Sequence, residues 1–272
     1  MTEEEAIKAT LGTPATVQSM QDDLAALGVT RGMVLLVHSS LSSLGWVCGG
    51  PAALVTALES GLGAEGTLVM PTYSDDLSEP SYWKNPPVPE AWWPIIRQSM
   101  PAFDASMTPT RGVGTVPECF RSQAGTRRSL HPSNSFSARG PRAEEIVRGH
   151  SLDYPLGDGS PLARIYDLDG WILLLGTDFS CASSLHLAEY RAKYTKKRLM
   201  VQGAPVLIDG ARVWKEYRDF DWDDSDFRAI GASFAESTGL VRTGCVANSA
   251  AHLLPQRPFV DYAVEWMEKN RR

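Results

Sequence analysis

Three short apolar runs set the pattern of this chain, at 33–37, 67–70 and 171–175. Each run is continuous rather than alternating, which is typical of strands that are covered on both faces in the middle of a parallel sheet. Apolar residues recur at helical spacing over 16–27 and 51–58, so one helix precedes the first run and another joins it to the second. Strands that alternate with helices in this way predict an α/β fold.

Residues suited to capping mark where several predicted helices begin. Thr16 is a good N-cap for the first helix. Thr115 and Glu118 form a T-x-x-E pattern, which predicts a capping box at the start of another helix. Ser183 or Ser184 caps the first amides of the helix that follows the third apolar run.

The last third of the chain predicts strands as well as helices. Segments 200–208 and 211–217 are separated by Asp209-Gly210, a strong signal for a two-residue hairpin turn. Apolar residues favour a helix over 246–254. The whole pattern predicts a central, mostly parallel sheet flanked by helices, with a C-terminal β-hairpin region.

Three further features concern the organisation of the chain. The segment 79–105 is rich in proline and tryptophan, and we expect it to form an ordered loop over a pocket. A closing amphipathic helix is expected over 259–269. No linker or repeat divides the sequence, so we expect a single domain over residues 1–272.

Composition argues against several classes of protein. The formal net charge of −6 at pH 7 argues against a nucleic-acid partner and is compatible with a cationic small molecule. The four cysteines are scattered, so neither a zinc site nor a redox motif is indicated, and we expect no metal. No run approaches the roughly 20 apolar residues of a membrane span, and the acidic start carries no signal region. We therefore expect a cytoplasmic protein with no membrane partner.

The stretch after the third apolar run carries most of the candidate chemistry. His186 and Glu189 stand three apart in a predicted helix, so the carboxylate can accept a hydrogen bond from one imidazole nitrogen. The N-terminus of a helix disfavours the imidazolium form, and a neutral imidazole with one open nitrogen can act as a base. The plainer alternative is a surface pair on an ordinary helix. The position beyond a strand's carboxyl end, where ligands gather in α/β folds, favours the functional interpretation.

A second candidate stretch is an arginine followed by two glycines and a predicted helix. The glycines let the backbone approach a ligand closely, and the amides at a helix N-terminus favour an anion. The alternative is a glycine turn that only leads into a capped helix. The candidate anion-binding residues are Arg111, Gly112, Val113, Gly114 and Thr115.

Two polar groups of residues are further candidates for ligand contacts. The segment 127–135 carries arginines, hydroxyls and a histidine that suit phosphate, although a solvated loop is the plainer account. The acidic and aromatic residues suit a cationic ligand. For the acidic segment 219–226, the plainer alternative is a turn whose carboxylates are solvated. Asp178, beside the proposed base in sequence, is our first choice. The candidates for the cation are Tyr73, Asp75, Asp76, Asp178, Asp221 and Asp223.

Five segments form a specific pattern through their order and spacing. They are Leu36-Val37-His38-Ser39-Ser40-Leu41, Gly66-Thr67-Leu68-Val69-Met70-Pro71-Thr72, Arg128-Ser129-Leu130-His131-Pro132, Ser160-Pro161-Leu162, and Leu173-Leu174-Leu175-Gly176 leading to Leu185-His186-Leu187-Ala188-Glu189. With these segments the chain resembles, along nearly its whole length, the aminoglycoside 3-N-acetyltransferase family, also called the antibiotic N-acetyltransferase family.

The resemblance implies an antibiotic N-acetyltransferase-like fold and an activity. The activity is transfer of acetyl from acetyl-CoA, a cosubstrate, to the 3-amino group of a 2-deoxystreptamine aminoglycoside, which confers antibiotic resistance. The family's catalytic histidine and glutamate fall on His186 and Glu189. The expected partner is this small polycationic substrate, and we expect a monomer or a homodimer. The family's coenzyme A contacts fall on His38, Ser39 and Ser40, on the turn 112–115, and on Ser129, His131 and Ser135.

Two segments depart from the family's pattern. The chain has Cys181-Ala182-Ser183-Ser184 where the family usually has a threonine, and Val246-Ala247-Asn248 where it usually has a glycine-containing turn. A serine hydroxyl can replace that of threonine in a hydrogen bond. The chemistry is therefore expected to persist, whereas the range of substrates depends on the variable loops.

Several mechanisms and functions remain open. In direct transfer, His186 removes a proton as the amine attacks the thioester, and Ser183, Ser184 or nearby amides stabilise the oxyanion. Alternatively, Cys181 is a nucleophile that His186 activates. The chain could also acetylate a different amine, or bind aminoglycoside or coenzyme A without catalysis.

Overall fold

The computed structural model describes residues 3–10 and 12–271. In this part of the chain, no helix is long and apolar enough to cross a membrane. The strands are β1 (Val34–Ser39), β2 (Thr67–Pro71), β3 (Arg127–Arg128), β4 (Phe136–Arg139), β5 (Trp171–Leu175), β6 (Leu199–Ile208), β7 (Ala211–Phe220), β8 (Arg242–Val246) and β9 (Ser249–Pro255). The helices are α1 (Glu3–Ala9), α2 (Val17–Leu27), α3 (Gly50–Leu62), α4 (Trp93–Ser99), α5 (Thr115–Arg121), α6 (Ala143–Val147), α7 (Pro161–Asp167), α8 (Ser184–Arg191), α9 (Phe227–Thr238) and α10 (Gln256–Asn270).

The main sheet has the strand order β3-β4-β2-β1-β5-β9-β8. β1 pairs in parallel with both β2 and β5, so these three strands form its centre. β4 and β9 run antiparallel to their inner neighbours, and the edge strands β3 and β8 reverse direction again. Five of these seven strands therefore point the same way, which confirms the predicted central, mostly parallel sheet.

The central strands divide their side chains between two layers of helices. Leu35 and Val37 of β1 pack in one buried cluster with residues of α2, α3 and α5. Leu36 packs on the opposite face with residues of α6, α7, α8, α9 and α10. Since both faces of the strand are covered, every position of the run is apolar, as the sequence pattern indicates.

The β-hairpin region is confirmed as a separate two-stranded sheet. β6 and β7 pair antiparallel across Asp209 and Gly210, whose φ angles of 50° and 78° lie in the left-handed region that a type I′ turn requires. The loop 79–105 contains α4, and Phe103 N–H donates to the Pro205 carbonyl at 3.0 Å. The loop is thus ordered and joined to the hairpin.

The predicted helix over 246–254 is wrong, because these residues form the end of β8, a turn and β9. Burial alternates over 249–253, where Ser249, Ala251 and Leu253 are buried and the two residues between them are not, as the two-residue period of a strand requires. Without β9, the backbone of β5 would lack partners on the side that does not pair with β1. β9 pairs with β5 along the whole length of β5. Pairing with the sheet therefore overrides the weak helical pattern.

The N-cap predicted at Thr16 is confirmed, whereas the predicted capping box is absent. Thr16 caps α2 through the reciprocal bonds of a capping box. The box predicted for Thr115 and Glu118 is wrong, because α5 begins at Thr115 itself with Gly114 as its N-cap. The Glu118 carboxylate instead accepts hydrogen bonds from the amide and hydroxyl of Thr110, both at 2.8 Å.

α9, which the sequence pattern does not single out, packs closely on the turn 179–181. A Cβ built on Gly231 would lie 2.0 Å from Cγ of Phe179. We expect Gly231→Ala to lower the free energy of unfolding by about 1–3 kcal/mol, since overpacking outweighs the roughly 1 kcal/mol gained in helix propensity. Urea unfolding measures the change, and an equal or higher free energy of unfolding would contradict this packing.

Candidate active site

A cavity of about 640 Å³ lies beyond the carboxyl ends of the three central strands. Its wall comes from the last residues of β1 and β2, from residues that follow β1, β2 and β5, from the turn before α5, and from α8. Ligand sites in α/β folds form at this edge of the sheet. Of the residues that the sequence singles out, the cavity brings together His38, Ser39, Ser40, Tyr73, Gly112, Val113, Gly114, Thr115 and His186.

The predicted hydrogen bond between His186 and Glu189 is present. Nδ1 of His186 lies 3.0 Å from Oε2 of Glu189, whose side chain is completely buried. The His186 side chain is 14% exposed and lines the cavity. Within residues 3–10 and 12–271, Nε2 of His186 has no hydrogen-bond partner, so this nitrogen is available to a ligand.

Aromatic rings hold the imidazole of His186 in place. The ring centroids of Trp222 and Phe227 each lie 4.8 Å from that of His186. Nε1 of Trp222 donates to the Tyr190 hydroxyl at 2.9 Å, and that hydroxyl donates to the buried Asp219. No local sequence pattern connects these rings with the base, and the one signal for them is the presence of aromatic residues between the carboxylates of 219–227.

Glu189 is kept ionised by the groups around it. Burial raises its pKa, but the hydrogen bond from His186, the amide of Asp223 at 2.9 Å and the charge of Arg271 outweigh burial, so the net direction is downward. The Tyr194 hydroxyl also donates to Oε1 at 3.3 Å. A buried carboxylate with these partners stabilises an imidazolium that forms beside it.

His38 and Ser39 present buried polar atoms in the wall of the cavity. Burial, and then the neighbouring His186, lowers the pKa of His38 to about 4, so its imidazole is neutral near pH 7. His38 Nε2 and Ser39 Oγ are buried, and neither has a hydrogen-bond partner among the residues described. Unpaired buried polar atoms are costly, and a polar ligand in the cavity would satisfy them.

Of the predicted anion-binding residues, the glycine turn before α5 lies at the cavity, whereas Arg111 does not. Gly112 and Gly114, at φ angles of 78° and 84°, place the turn in the wall of the cavity. Arg111 instead pairs with Asp76 and borders a neighbouring cavity of about 510 Å³. Its charge is therefore directed away from the main cavity.

The structure does not bring Ser129, His131 and Ser135 to the cavity. Ser129 Oγ accepts from the Phe136 amide at 2.9 Å, and Ser135 Oγ donates to the Thr72 carbonyl at 2.7 Å. Nδ1 of His131 accepts from two backbone amides, and burial, followed by the neighbouring His150, holds its pKa well below the usual range. All three side chains are buried within the loop that they shape, which leaves their predicted contact with coenzyme A without support in this structure.

Tyr73 and Ser183 form a hydrogen-bonded pair in the cavity wall. The Tyr73 hydroxyl donates to Ser183 Oγ at 2.8 Å. The predicted helix cap by Ser183 or Ser184 is wrong, because Ser183 is the N-cap residue of α8 but makes no capping hydrogen bond, and Ser184 Oγ accepts from the Gln256 amide group at 2.9 Å. Ser183 faces the cavity instead.

Asp75 and Asp76 line the neighbouring cavity together with Trp83 of the loop 79–105. The loop thus borders a pocket, as the sequence predicts. Loss of hydration, and then the adjacent Asp76, raises the pKa of Asp75 to about 6, and the charge of Arg111 opposes this shift. These carboxylates lie beside the main cavity and not in its wall.

The other acidic candidates are mostly engaged with the protein. Asp178 accepts from Ser180 and pairs with Arg228 at 2.7 Å, and Asp223 accepts from the Ser225 amide and hydroxyl. Asp221 is exposed and lies outside the wall. Asp224, which the sequence pattern does not distinguish from its acidic neighbours, does line the cavity.

Cys181 is an exposed free thiol that lines the cavity. Within the part of the chain that the structure describes, no hydrogen bond joins it to His186. Over those same residues, no group of three or more histidine, cysteine, aspartate or glutamate side chains is placed to hold a metal ion. The cavity therefore presents imidazole, hydroxyl, thiol and backbone groups to a ligand.

Known proteins are similar to this chain in sequence and in structure. The sequence profile of the family described as Aminoglycoside 3-N-acetyltransferase matches residues 36–268. The chain is 45% identical over 258 residues to the SPbeta prophage-derived aminoglycoside N(3')-acetyltransferase-like protein YokD of Bacillus subtilis (strain 168), with 94% of each chain covered. The crystal structure of YokD matches with a TM-score of 0.95, 43% identity and 98% of each chain covered.

Two further relatives are similar over most of their length. The chain is 37% identical over 277 residues to aminoglycoside N(3)-acetyltransferase VIII of Streptomyces fradiae, covering 94% of this chain and 93% of the relative. A solved binary structure of AAC-IIIb with CoASH matches with a TM-score of 0.85 and 30% identity, covering 95% of this chain and 98% of the other. The fold, the site and this similarity along nearly the whole length show that the chain belongs to the aminoglycoside 3-N-acetyltransferase family.

Proposed function

We propose that this chain transfers an acetyl group from acetyl-CoA to the 3-amino group of a 2-deoxystreptamine aminoglycoside. One observation carries the proposal: His186 lines the cavity, with Nδ1 bonded to the buried Glu189 and Nε2 without a partner in the residues described. A neutral imidazole that a carboxylate orients is suited to accept a proton from a nucleophile. The name of the relative from Streptomyces fradiae supports an aminoglycoside amine as that nucleophile.

In the proposed reaction, the amine attacks the thioester carbonyl directly. As the C–N bond forms, Nε2 of His186 accepts a proton from the amine nitrogen, and the carbonyl oxygen becomes an oxyanion. When the C–S bond breaks, coenzyme A leaves as a thiolate and takes the proton from the imidazolium. Glu189 stabilises that imidazolium between the two steps, and His186 ends in its neutral form.

Ser183 is suited to stabilise the oxyanion. Its Oγ accepts a hydrogen bond from Tyr73, which leaves its own hydroxyl proton to donate into the cavity. Ser184 is fully buried and already bonded to Gln256. We therefore assign this role to Ser183, whose hydroxyl stands close to where the family usually has a threonine.

The same cavity is suited to acetyl-CoA, which supplies the thioester when bound. His38 Nε2 and Ser39 Oγ are buried atoms that need partners, and the turn at Gly112 and Gly114 keeps the backbone uncovered. The CoASH complex of AAC-IIIb supports this assignment at the level of the family. In our proposal, residues 38–42 and the turn 112–115 hold the cosubstrate.

The acceptor would approach from the acidic side of the cavity. Asp224 lies in the cavity wall, and Asp75 and Asp76 line the adjoining cavity with Trp83. Carboxylates beside an aromatic ring suit a polycationic sugar. Asp178 stays a candidate only if the substrate displaces Arg228 from it.

Replacing Cys181 by serine separates direct transfer from a covalent acetyl-thiol intermediate. We expect Cys181→Ser to keep kcat within about threefold of the unmodified protein, because the direct step uses the thiol neither as nucleophile nor as base. Steady-state kinetics and intact-mass analysis of protein mixed with acetyl-CoA check this. A loss of kcat beyond about 100-fold, with a transient mass increase of one acetyl group at Cys181, would establish the covalent route instead.

The position of the new amide bond tests the proposed acceptor atom. We expect the product to carry one acetyl group on the nitrogen at position 3, as NMR of the purified product measures. Acetylation of a different amine would leave the transferase assignment in place and contradict the proposed acceptor.

A further inference from the structure

Arg271 brings a buried positive charge to the back of the candidate base. It follows α10 directly and is only 9% exposed. Its guanidinium donates to Oε1 of Glu189 at 2.8 Å, to the two carboxylate oxygens of Asp226 at 2.5 and 2.8 Å, and to the Asp223 carbonyl at 2.5 Å. The guanidinium carbon lies 5.3 Å from the centroid of the Tyr194 ring.

These contacts tie three separate segments to one side chain. Glu189 lies on α8, whereas Asp223 and Asp226 lie in the loop before α9. That loop also carries Trp222, which packs on the His186 ring, and Asp224, which lines the cavity. The position of the base and that of the adjacent cavity wall therefore depend on the same guanidinium.

We propose that Arg271 is a positioning residue for His186: it holds Glu189 in place and reduces the negative charge behind the imidazole. This inference rests on the proposed function of His186. The nitrogen that faces the cavity makes no contact with Arg271 in the residues described, so the guanidinium acts through Glu189.

Arg271 partly neutralises the acidic cluster behind His186. The carboxylates of Glu189 and Asp226 carry two negative charges and Arg271 carries one positive charge, so the cluster behind His186 has a net charge of −1. When His186 accepts the proton of the amine, the total becomes zero, and the imidazolium is compensated. Without Arg271 the cluster would carry −2, and His186 would already bind a proton at a higher pH.

Other titratable and charged groups surround this cluster and stay in place in the variants below. On and after α8 they are His186, Tyr190, Tyr194 and Lys197; on β7 and the following loop they are Asp219 and Asp223; across the cavity there is His38.

Two variants with opposite expected effects test the proposal. Arg271→Gln removes the positive charge, so we expect the acid limb of the kcat–pH profile to move up by about one pH unit, and kcat at a pH below both midpoints to fall about tenfold. Asp226→Asn removes one negative charge, and we expect the same limb to move down. KM for acetyl-CoA is expected to stay within about twofold in both variants, because neither residue lines the cavity.

Arg271→Lys and Arg257→Gln serve as matched controls. Lysine keeps the charge but cannot form a forked pair with a carboxylate, so we expect the midpoint of the acid limb to return while kcat recovers only in part. Arg257 lies on α10 and pairs at the surface with Asp169. We expect Arg257→Gln to leave the profile unchanged.

A measurement that needs no turnover separates failure of this inference from failure of the proposed function. NMR titration of the His186 ring, assigned with a His186→Gln variant, measures the midpoint of its protonation directly. In folded protein this midpoint should move up in Arg271→Gln and down in Asp226→Asn, as the acid limb does. If no acetyl transfer is detected but the ring titrations move as stated, the proposed function fails and the role of Arg271 stands. If both folded variants leave the ring titration and the acid limb where they are in the unmodified protein, the role of Arg271 is overturned.

Discussion

His186→Ala is expected to lower kcat for acetyl transfer by about 10³-fold, within the range that a general base contributes. KM for the aminoglycoside and for acetyl-CoA should change by less than about threefold, since the variant removes a proton acceptor rather than a binding surface. Steady-state release of coenzyme A, measured with saturating acetyl-CoA, checks both statements. The physical reason is the single open nitrogen, Nε2, that the hydrogen bond to Glu189 orients towards the cavity.

His252→Ala is a matched control for this substitution. His252 is also partly buried, but it lies on β9 and stacks on Phe179 instead of lining the cavity. We expect His252→Ala to retain kcat within about threefold. A His186→Ala protein that binds both substrates and keeps more than about a third of the original kcat would rule out His186 as the base.

Acidification is expected to destabilise the fold steeply between about pH 6.5 and 4.5. Burial lowers the pKa of His38 and of His150 to about 4 and that of His131 well below its usual range, so the unfolded chain binds protons in this window that the folded chain does not. Stability therefore falls as pH falls. Each such proton corresponds to about 1.4 kcal/mol per pH unit.

Two carboxyl groups oppose this loss. Burial raises the pKa of Asp219 to about 6, and partial loss of hydration, followed by the adjacent Asp76, raises that of Asp75 to about 6, so the folded chain holds protons there that the unfolded chain releases. The proton that Asp219 binds in the folded chain offsets the loss of stability from about one of the three histidines. Asp75 is exposed, so solvent screening reduces its contribution to the free energy of unfolding. The remainder is a net loss of about 2 kcal/mol per pH unit, large beside a total stability of about 5–15 kcal/mol.

Urea unfolding at pH 7 and pH 5 measures this slope. Asp219→Asn supplies an internal control, because removal of an opposing group should make the loss on acidification steeper by about one proton. A free energy of unfolding that is equal at the two pH values, or higher at pH 5, would contradict the assignment of these histidines as buried and neutral.

The sequence predicts the parts of the site that depend on local spacing. His186 and Glu189 are one helical turn apart on a helix after a strand, so their hydrogen bond follows from α-helical geometry alone. The position of the cavity follows from the apolar runs, because they identify which strands are parallel and central. The turn at Asp209 and Gly210 is equally local.

Contacts between distant segments are what the sequence does not predict. Arg271 reaches Glu189 across 82 positions, and no pattern near either residue signals that pair. Residues 246–254 carry apolar side chains that suit a helix or a strand, and only the need of β5 for a partner decides between them. Ser129, His131 and Ser135 look like ligand contacts because they are polar, yet their hydrogen bonds go to groups within the protein.

The most direct test of the proposed reaction is coenzyme A release with matched pairs of aminoglycosides whose 3-amino group is either free or blocked. The account predicts turnover with each free 3-amino compound and none with its blocked partner, with the turnover lost in His186→Ala. Equal rates on the two members of a pair would contradict the proposed acceptor, and release that persists in His186→Ala would contradict the proposed base.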